Sequence, residues 1–274
     1  MLPLWRSRIG IALSPAKVTL VQFARGLRPR LANSHHEMVR ADSGNTNWQG
    51  SVQALQKILQ QPEWRQGEAT VVLSNHFMRY ATIPWNDEIG GEDEEKSFAL
   101  HQLAKVYGES ALDWNVRLTQ SGQADTRMVG AIDAELGEAI TALFGQPKSR
   151  LRSVQPYLMS VFNHFRKRLG KGAAWFVVAE PARLCVALLH EGKWHLIRSH
   201  ADDRLENLTQ LLDRENLLSG LKEPCHKVFL FAPENRPNPV ADTLYEWIPL
   251  TLPGWSGVTE PENSRFAMAV SGVI

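Results

Sequence analysis

The chain has 274 residues, 43% of them hydrophobic, so it can bury one large core or two of ordinary size. Its 30 basic and 29 acidic residues give a net charge of +1, a balance that supports neither a nucleic-acid partner nor an acidic membrane partner but leaves room for a local charged patch. No window of about 18 apolar residues occurs, and the first residues lack the apolar run of a signal peptide. We therefore predict a cytoplasmic protein without a transmembrane segment.

The first quarter of the chain predicts three antiparallel strands, a helix and a buried strand. The strands RIGIALS, KVTLVQFAR and LANSHHEMV are separated by turn sequences at Pro15 and at GLRPR. Apolar residues at helical spacing follow from Trp48 to Leu59, and Pro62 closes this helix. EATVVLS, residues 68–74, has the composition of a buried strand.

The segment between residues 75 and 170 predicts further strands and helices. FMRYATIPW is a strand ending at Pro84, and residues 91–108 form a helix with Leu103 and Val106 directed inward. WNVRLTQS and RMVGAID predict a strand pair. Two more helices follow, DAELGEAITALFG and PYLMSVFNHFRKRL.

The element order of the first quarter is repeated in the last hundred residues. AAWFVVA, ARLCVALLH and KWHLIRSH predict three strands, leucines from Leu205 to Leu212 mark a helix, and KVFLFAP is the strand after it. Residues 14–26 and 180–192 align without a gap at a constant offset of 166. EWIPLTL and RFAMAVSG then predict a strand and a closing helix. The unit β-β-β-α-β therefore occurs twice in an α/β fold.

This duplicated unit resembles the plan of the actin-like ATPase superfamily, which has a ribonuclease H-like fold. Within the superfamily, the chain resembles the PilM family and the cytoplasmic domains of GspL-type and MshI-type proteins. The segments that carry the resemblance are residues 9–23, 71–85, 152–165 and 173–194. It implies two βββαβ-type subdomains. The first is residues 1–170, with a small α/β subdomain inserted at about 75–150, and the second is residues 171–274.

The turns that open the two repeats are where relatives that hydrolyse ATP hold the nucleotide phosphates. In those relatives the first loop resembles D-x-G-[ST] and the second D-[IL]-G. Their Asp carboxylates hold Mg²⁺, and their Gly residues let the backbone approach phosphate. This chain has Ala12 and Ser14 at the first loop, and Glu180 is the one acidic residue at the second. Pro15 and Pro181 lack the amide N–H from which a phosphate cradle is built.

The resemblance and these departures from it predict a pseudo-ATPase with no catalytic residue, no metal site and no bound cofactor. Lys17 and Arg183 complete the two degenerate loops. Glu180 is expected on the surface of its turn, although it could ligate Mg²⁺ alone. Mg-ATP would be the cofactor only under the competing hypothesis, a diverged actin-like ATPase or sugar-kinase-like enzyme.

The resemblance also implies a binding function. PilM-like proteins hold the short cytoplasmic N-terminal segment of a PilN-like membrane protein in a groove next to the inserted subdomain, and they also contact the assembly ATPase. We therefore expect a non-catalytic scaffold of a type IV pilus or type II secretion-like assembly platform. Its partner would hold it at the cytoplasmic face of the inner membrane.

Phe77, Arg79, Tyr80 and Trp85 are the predicted partner-binding residues, because aromatic and arginine side chains anchor such contacts. Alternation along the strand places Phe77 and Arg79 on one face and Tyr80 on the other. One face should pack on the core and leave the other exposed for the partner. The alternative is that all four residues only pack internally.

Other residues with chemical potential give weaker predictions. His35 and His36 point to opposite faces of a strand, so they cannot share a metal ion. Cys185 and Cys225 lack a CxxC spacing and are predicted to be buried free thiols. The basic segment at residues 166–171 either forms the solvated end of a helix or contacts anionic lipid headgroups or an acidic partner segment.

Overall fold

A computed structural model describes residues 7–24, 30–39, 48–84, 88–119, 126–145, 149–201, 205–234, 244–254 and 260–274. The strands in these ranges are β1 (Arg8–Leu13), β2 (Lys17–Phe23), β3 (Leu31–Met38), β4 (Gly67–Leu73), β5 (Arg79–Ile83), β6 (Trp114–Leu118), β7 (Arg127–Asp133), β8 (Ser149–Pro156), β9 (Ala174–Glu180), β10 (Arg183–His190), β11 (Lys193–His200), β12 (Lys227–Phe231) and β13 (Glu246–Pro249). The α-helices are α1 (Gln49–Leu59), α2 (Glu92–Tyr107), α3 (Ala134–Ala142), α4 (Tyr157–Leu169), α5 (Leu208–Leu218) and α6 (Glu260–Ser271).

The chain divides into two compact units. The first consists of Met1–Met78, Ala134–His164 and Leu252–Ile274. The second consists of Arg79–Asp133 and Phe165–Thr251. This division differs from the predicted boundaries at 1–170 and 171–274, for reasons that lie in the packing of the inserted sheet and of α6.

The first unit is built on a five-stranded sheet in the order β3-β2-β1-β4-β8. β1 and β2 form the antiparallel hairpin predicted around Pro15. β4 runs parallel to β1, and β8 runs parallel to β4. β1 and β2 are buried along almost their whole length, as their near-continuous apolar sequences predict, and helices of the same unit pack against this sheet.

α6 lies close to the first sheet because two glycines leave room for it. A Cβ atom at Gly10 would lie 2.1 Å from the carbonyl oxygen of Ala269, and one at Gly272 would lie 2.6 Å from a β4 side chain. Arg8 donates a hydrogen bond of 2.8 Å to the carbonyl of Val273. The closing helix therefore belongs to the first unit, although its place in the sequence assigned it to the second subdomain.

The second unit repeats this architecture. Its five-stranded sheet has the order β11-β10-β9-β12-β13, in which β9 pairs antiparallel with β10 and parallel with β12. α5 packs Leu208 and Leu212 against one face of the sheet, where Trp175 and Val177 lie. The same strand order around the same helix position confirms the predicted duplicated α/β fold.

The offset of 166 residues holds for the first two strands of each unit and then shortens. β3 begins at Leu31, and β11 begins 162 residues later, at Lys193. The reason is the turn between β10 and β11, which has only two residues, Glu191 and Gly192, with φ of 54° and 75°. Positive φ at both positions is the geometry of the tightest hairpin turns.

The inserted segment forms a small antiparallel sheet with the order β5-β7-β6, and α2 covers one of its faces. The buried residues between them are Ile83, Ala99, Leu103, Ala111, Val116, Val129 and Ala131. β5, an edge strand of this sheet, also packs against β11. This contact explains why the inserted segment groups with the second unit instead of the first.

Residues 149–156 are a further difference from the sequence prediction. They form β8, for which no strand was predicted, and α4 begins directly after it, at Tyr157. The first residues of the 152–165 segment therefore belong to a strand at the edge of the first sheet. Arg150 and Arg152 are exposed on this strand, so it lacks the apolar run that identifies the other parallel strands.

Candidate functional site

The turn between β1 and β2, which the sequence predicts to be the first degenerate phosphate loop, is closed by its own hydrogen bonds. The Ser14 amide donates to the Lys17 carbonyl at 3.0 Å, and the Lys17 amide donates to Ser14 Oγ at 3.2 Å. Ser51 of α1 donates to the Ser14 carbonyl at 2.6 Å. Because Pro15 has no amide hydrogen, Ala16 alone among the four residues of this turn could offer an amide to an anion.

Ala12 contributes to the core just before this turn. It pairs with Thr19 of β2 on one side and with Val72 of β4 on the other, and it is buried. A methyl group cannot ligate Mg²⁺, which binds oxygen ligands. The first loop therefore lacks the metal-binding carboxylate and most of the amide donors that phosphate binding requires.

The carboxylate of the second loop is buried, so the predicted surface position of Glu180 is wrong. Glu180 ends β9 and is only 2% exposed. Arg183, which is half-buried, lies opposite it at the start of β10. Between them, Ala182 adopts a φ of 57°, in the left-handed region that costs a residue with a Cβ about 1–2 kcal/mol.

Glu180 lies close to Tyr80 of the inserted sheet and to Cys185 of β10. Tyr80 is 5% exposed, and its burial, together with nearby Cys185 and Glu180, raises its pKa well above the ordinary value. Burial also raises the pKa of the Cys185 thiol to about 12, and Glu180 contributes to this increase. Cys185 therefore stays protonated and unreactive at neutral pH. The predicted buried free thiols, Cys185 and Cys225, are confirmed.

The four predicted partner-binding residues lie in different environments. Phe77 precedes β5 in a turn and is 8% exposed, and Tyr80 is 5% exposed, so neither ring is open to a partner, contrary to the prediction that one of their two faces would be. Arg79 is half-buried, and Trp85 lies outside the described residues. α2 packs against Ala81 and Ile83 of β5, and β5 also packs against β11.

An exposed aromatic surface surrounds Arg79. Its guanidinium carbon lies 6.0 Å from the ring centroids of both Tyr107 and Trp114, which are 5.4 Å apart. Val106, Tyr107 and Leu112 are 72%, 40% and 43% exposed, so Val106 points outward, contrary to the predicted helix face. These five residues form what we call the Arg79 patch. Trp114 is half-buried, and Tyr107 is the exposed ring. Aromatic rings beside an arginine are typical of protein-binding surfaces.

A shallow groove lies at the other end of the inserted sheet, where β5 and β6 end. An ion pair between Arg127 of β7 and Glu95 of α2 forms part of its lining. The apolar lining residues are Ile83, Pro84, Ile89, Phe98 and Leu118. Apolar surface next to an arginine is thus present at both ends of the inserted unit.

The described residues give no positive sign of metal chemistry or of a membrane span. Among them, no group of three or more His, Cys, Asp or Glu side chains is placed to hold a metal ion. None of the helices within the described ranges is both long and apolar enough to cross a bilayer.

The fold is shared with solved structures. The chain is similar to a PilM–PilN type IV pilus biogenesis complex, with 13% identity over 97% of both chains and a TM-score of 0.69. It is also similar to the cytoplasmic domain of EpsL, an inner-membrane component of the type II secretion system of Vibrio cholerae. That match has 12% identity over 98% of this chain and 96% of the other, with a TM-score of 0.60.

A third similar structure is a Bacteroides thetaiotaomicron protein of unknown function with an actin-like ATPase fold. It has 11% identity over 87% of both chains and a TM-score of 0.56. No protein-family model and no curated protein sequence matches the chain. The chain has the actin-like ATPase fold. The predicted resemblance is therefore confirmed at the level of the fold.

Proposed function

We propose that this chain is a non-catalytic scaffold of an inner-membrane assembly platform of the type IV pilus or type II secretion kind. It binds a short cytoplasmic segment of a PilN-like membrane protein, which holds it at the membrane, and an assembly ATPase is a second partner. The observation that carries the proposal is the Arg79 patch, in which the exposed side chains of Val106, Tyr107 and Leu112 accompany the half-buried Arg79 and Trp114.

The fold likeness and the two degenerate loops support this proposal. One of the similar solved structures is a PilM–PilN complex, so a protein of this fold has such a partner. The hydrogen bonds within the Ser14 turn and the burial of Glu180 support a non-catalytic role. Of the partner-binding residues predicted from the sequence, we keep Arg79. We propose Tyr107 and Trp114 as the aromatic anchors, because Phe77 and Tyr80 are buried.

Peptide binding tests the partner site. Synthetic peptides covering the cytoplasmic N-terminal segments of PilN-like inner-membrane proteins from the same organism are titrated into the chain by calorimetry. We expect one peptide to bind, and Tyr107→Ala and Trp114→Ala each to weaken it about 10- to 30-fold, the loss typical of an interface anchor. Leu217→Ala is the matched control, because Leu217 is 86% exposed on α5 and lies outside the patch.

Two outcomes contradict the proposal in different ways. If a peptide binds the wild type and both patch variants with the same affinity, the partner site lies elsewhere on the chain. If none of the peptides binds, the proposed partner class is wrong.

Nucleotide binding tests the non-catalytic role. We expect Mg-ATP to leave the melting temperature of the chain unchanged, since neither loop offers a metal ligand together with free amides. A ligand present at about 100 times its Kd stabilises a protein by about 2.7 kcal/mol, which is readily measured. A stabilisation of this size with Mg-ATP would favour the competing ATPase or kinase-like function.

A further inference from the structure

The end of α4 carries a concentrated positive charge that the proposed partner site does not use. Residues 139–179 contain seven Lys and Arg residues and no Asp or Glu. Because the whole chain has a net charge of +1, the rest of the chain carries −6. Four of the seven cations lie within the six residues from Arg166 to Lys171.

These four cations all point to solvent. Phe165 and Leu169, one helical turn apart, are buried, and the Phe165 ring lies 5.9 Å from that of Phe231. The residues between them, Arg166, Lys167 and Arg168, are exposed, as is Lys171 after the helix. The last turn of α4 is therefore fixed by its apolar side and presents a cationic face outward.

Within the described residues, no salt bridge joins any of these four cations to a carboxylate. His164, at the start of the same turn, adds no charge at neutral pH, because burial lowers its pKa. Cations at a helix C-terminus interact favourably with the helix dipole, but that effect needs no more than one or two of them. A cluster of four cations that form no salt bridge with the described carboxylates has charge complementarity to an extended anionic surface.

We propose that the basic end of α4, residues 166–171, binds the anionic headgroups of a phospholipid bilayer directly. An acidic protein segment is less well matched, because the four side chains are exposed around the end of a helix and no described apolar pocket lies among them to fix a peptide. Cations spread around a helix end can bind anionic lipid headgroups, because this attraction depends on the amount of charge and requires no fixed arrangement of the lipids. This contact would be independent of the Arg79 patch.

Vesicle co-sedimentation of the full chain tests the proposal. We expect binding to phosphatidylcholine vesicles that contain about 30% phosphatidylglycerol at about 50 mM salt, no binding to pure phosphatidylcholine, and release at about 500 mM salt. Arg166→Gln, Lys167→Gln and Arg168→Gln together should lower the partition coefficient roughly 100-fold, about fivefold for each cation.

A second triple variant keeps the test specific. Lys57→Gln, Lys105→Gln and Lys222→Gln remove the same charge from exposed positions away from the end of α4. We expect this control to bind vesicles within a few-fold of the wild type. Equal losses in the two triple variants would show that only the overall charge matters and would overturn the proposal. So would absence of binding to the anionic vesicles by a wild-type chain that is folded by circular dichroism.

Discussion

Tyr80→Ala tests whether the Tyr80 ring holds the inserted sheet in place instead of offering a surface to a partner. A buried aromatic side chain removes about 150–250 Å² from water, which corresponds to an upper limit of about 4–6 kcal/mol. Aromatic-to-alanine substitutions in cores lower the free energy of unfolding by about 3–5 kcal/mol. Because Tyr80 is 5% exposed and belongs to β5, which packs against β11, we expect a loss in that range.

Urea denaturation followed by tryptophan fluorescence measures this loss. Tyr107→Ala is the control, because Tyr107 is 40% exposed, and its loss should stay below about 1 kcal/mol. Tyr80→Phe keeps the ring and removes only the hydroxyl near Glu180, so its loss should be smaller than that of Tyr80→Ala. A Tyr80→Ala protein whose free energy of unfolding lies within about 1 kcal/mol of wild type would refute the packing argument.

Two further predictions concern the core. Gly10→Ala should lower the free energy of unfolding by about 3 kcal/mol or more, because its methyl group would meet the Ala269 carbonyl oxygen at 2.1 Å and backbone must move. Gly172→Ala, with nothing within 4 Å, should change it by less than about 1 kcal/mol, and equal urea midpoints for the two variants would contradict this. The pKa of the Cys185 thiol is near 9 in the unfolded chain, and burial raises it to about 12 in the folded chain. The contribution of this thiol to the free energy of unfolding is therefore complete below pH 9. It is lost as the pH rises toward 12, by about 1.4 kcal/mol per pH unit. Cys185→Ala should make the alkaline loss of stability less steep in urea titrations, and an unchanged slope would show that the thiol titrates normally in the folded chain.

The fold could be predicted because its signals are local and occur twice. Pro15 and Pro181 mark hairpin turns, and the apolar runs beside them leave little choice but buried strands. The predicted β1, β2, β10 and β11 end within two residues of the observed strands. The repeated order then identifies the architecture even though no single motif does.

The site was harder to predict, because it depends on contacts between distant parts of the chain. Glu180 and Tyr80 are 100 residues apart, and nothing near the Glu180 turn indicates that an inserted sheet packs over it. Val106 fits the apolar spacing of α2 and was assigned to its buried face. Gly108, with a φ of 87°, ends α2 two residues later, and the Val106 side chain is 72% exposed.

The burial of Glu180 links the proposed absence of nucleotide chemistry to the position of the inserted sheet. Mg²⁺ bound through one or two carboxylates also needs water and phosphate oxygens, so its ligands must be open to solvent. Opening Glu180 to a metal ion would require the Tyr80 side of β5 to move away, at a cost of the several kcal/mol expected for losing that contact. Mg²⁺ binding by a single carboxylate, with no phosphate-binding loop beside it, would not offset this loss of packing energy. The chain is thus packed tightly at the turn that the sequence predicts to be its second degenerate phosphate loop. This supports the proposal that function lies at exposed surfaces, the Arg79 patch and the basic end of α4.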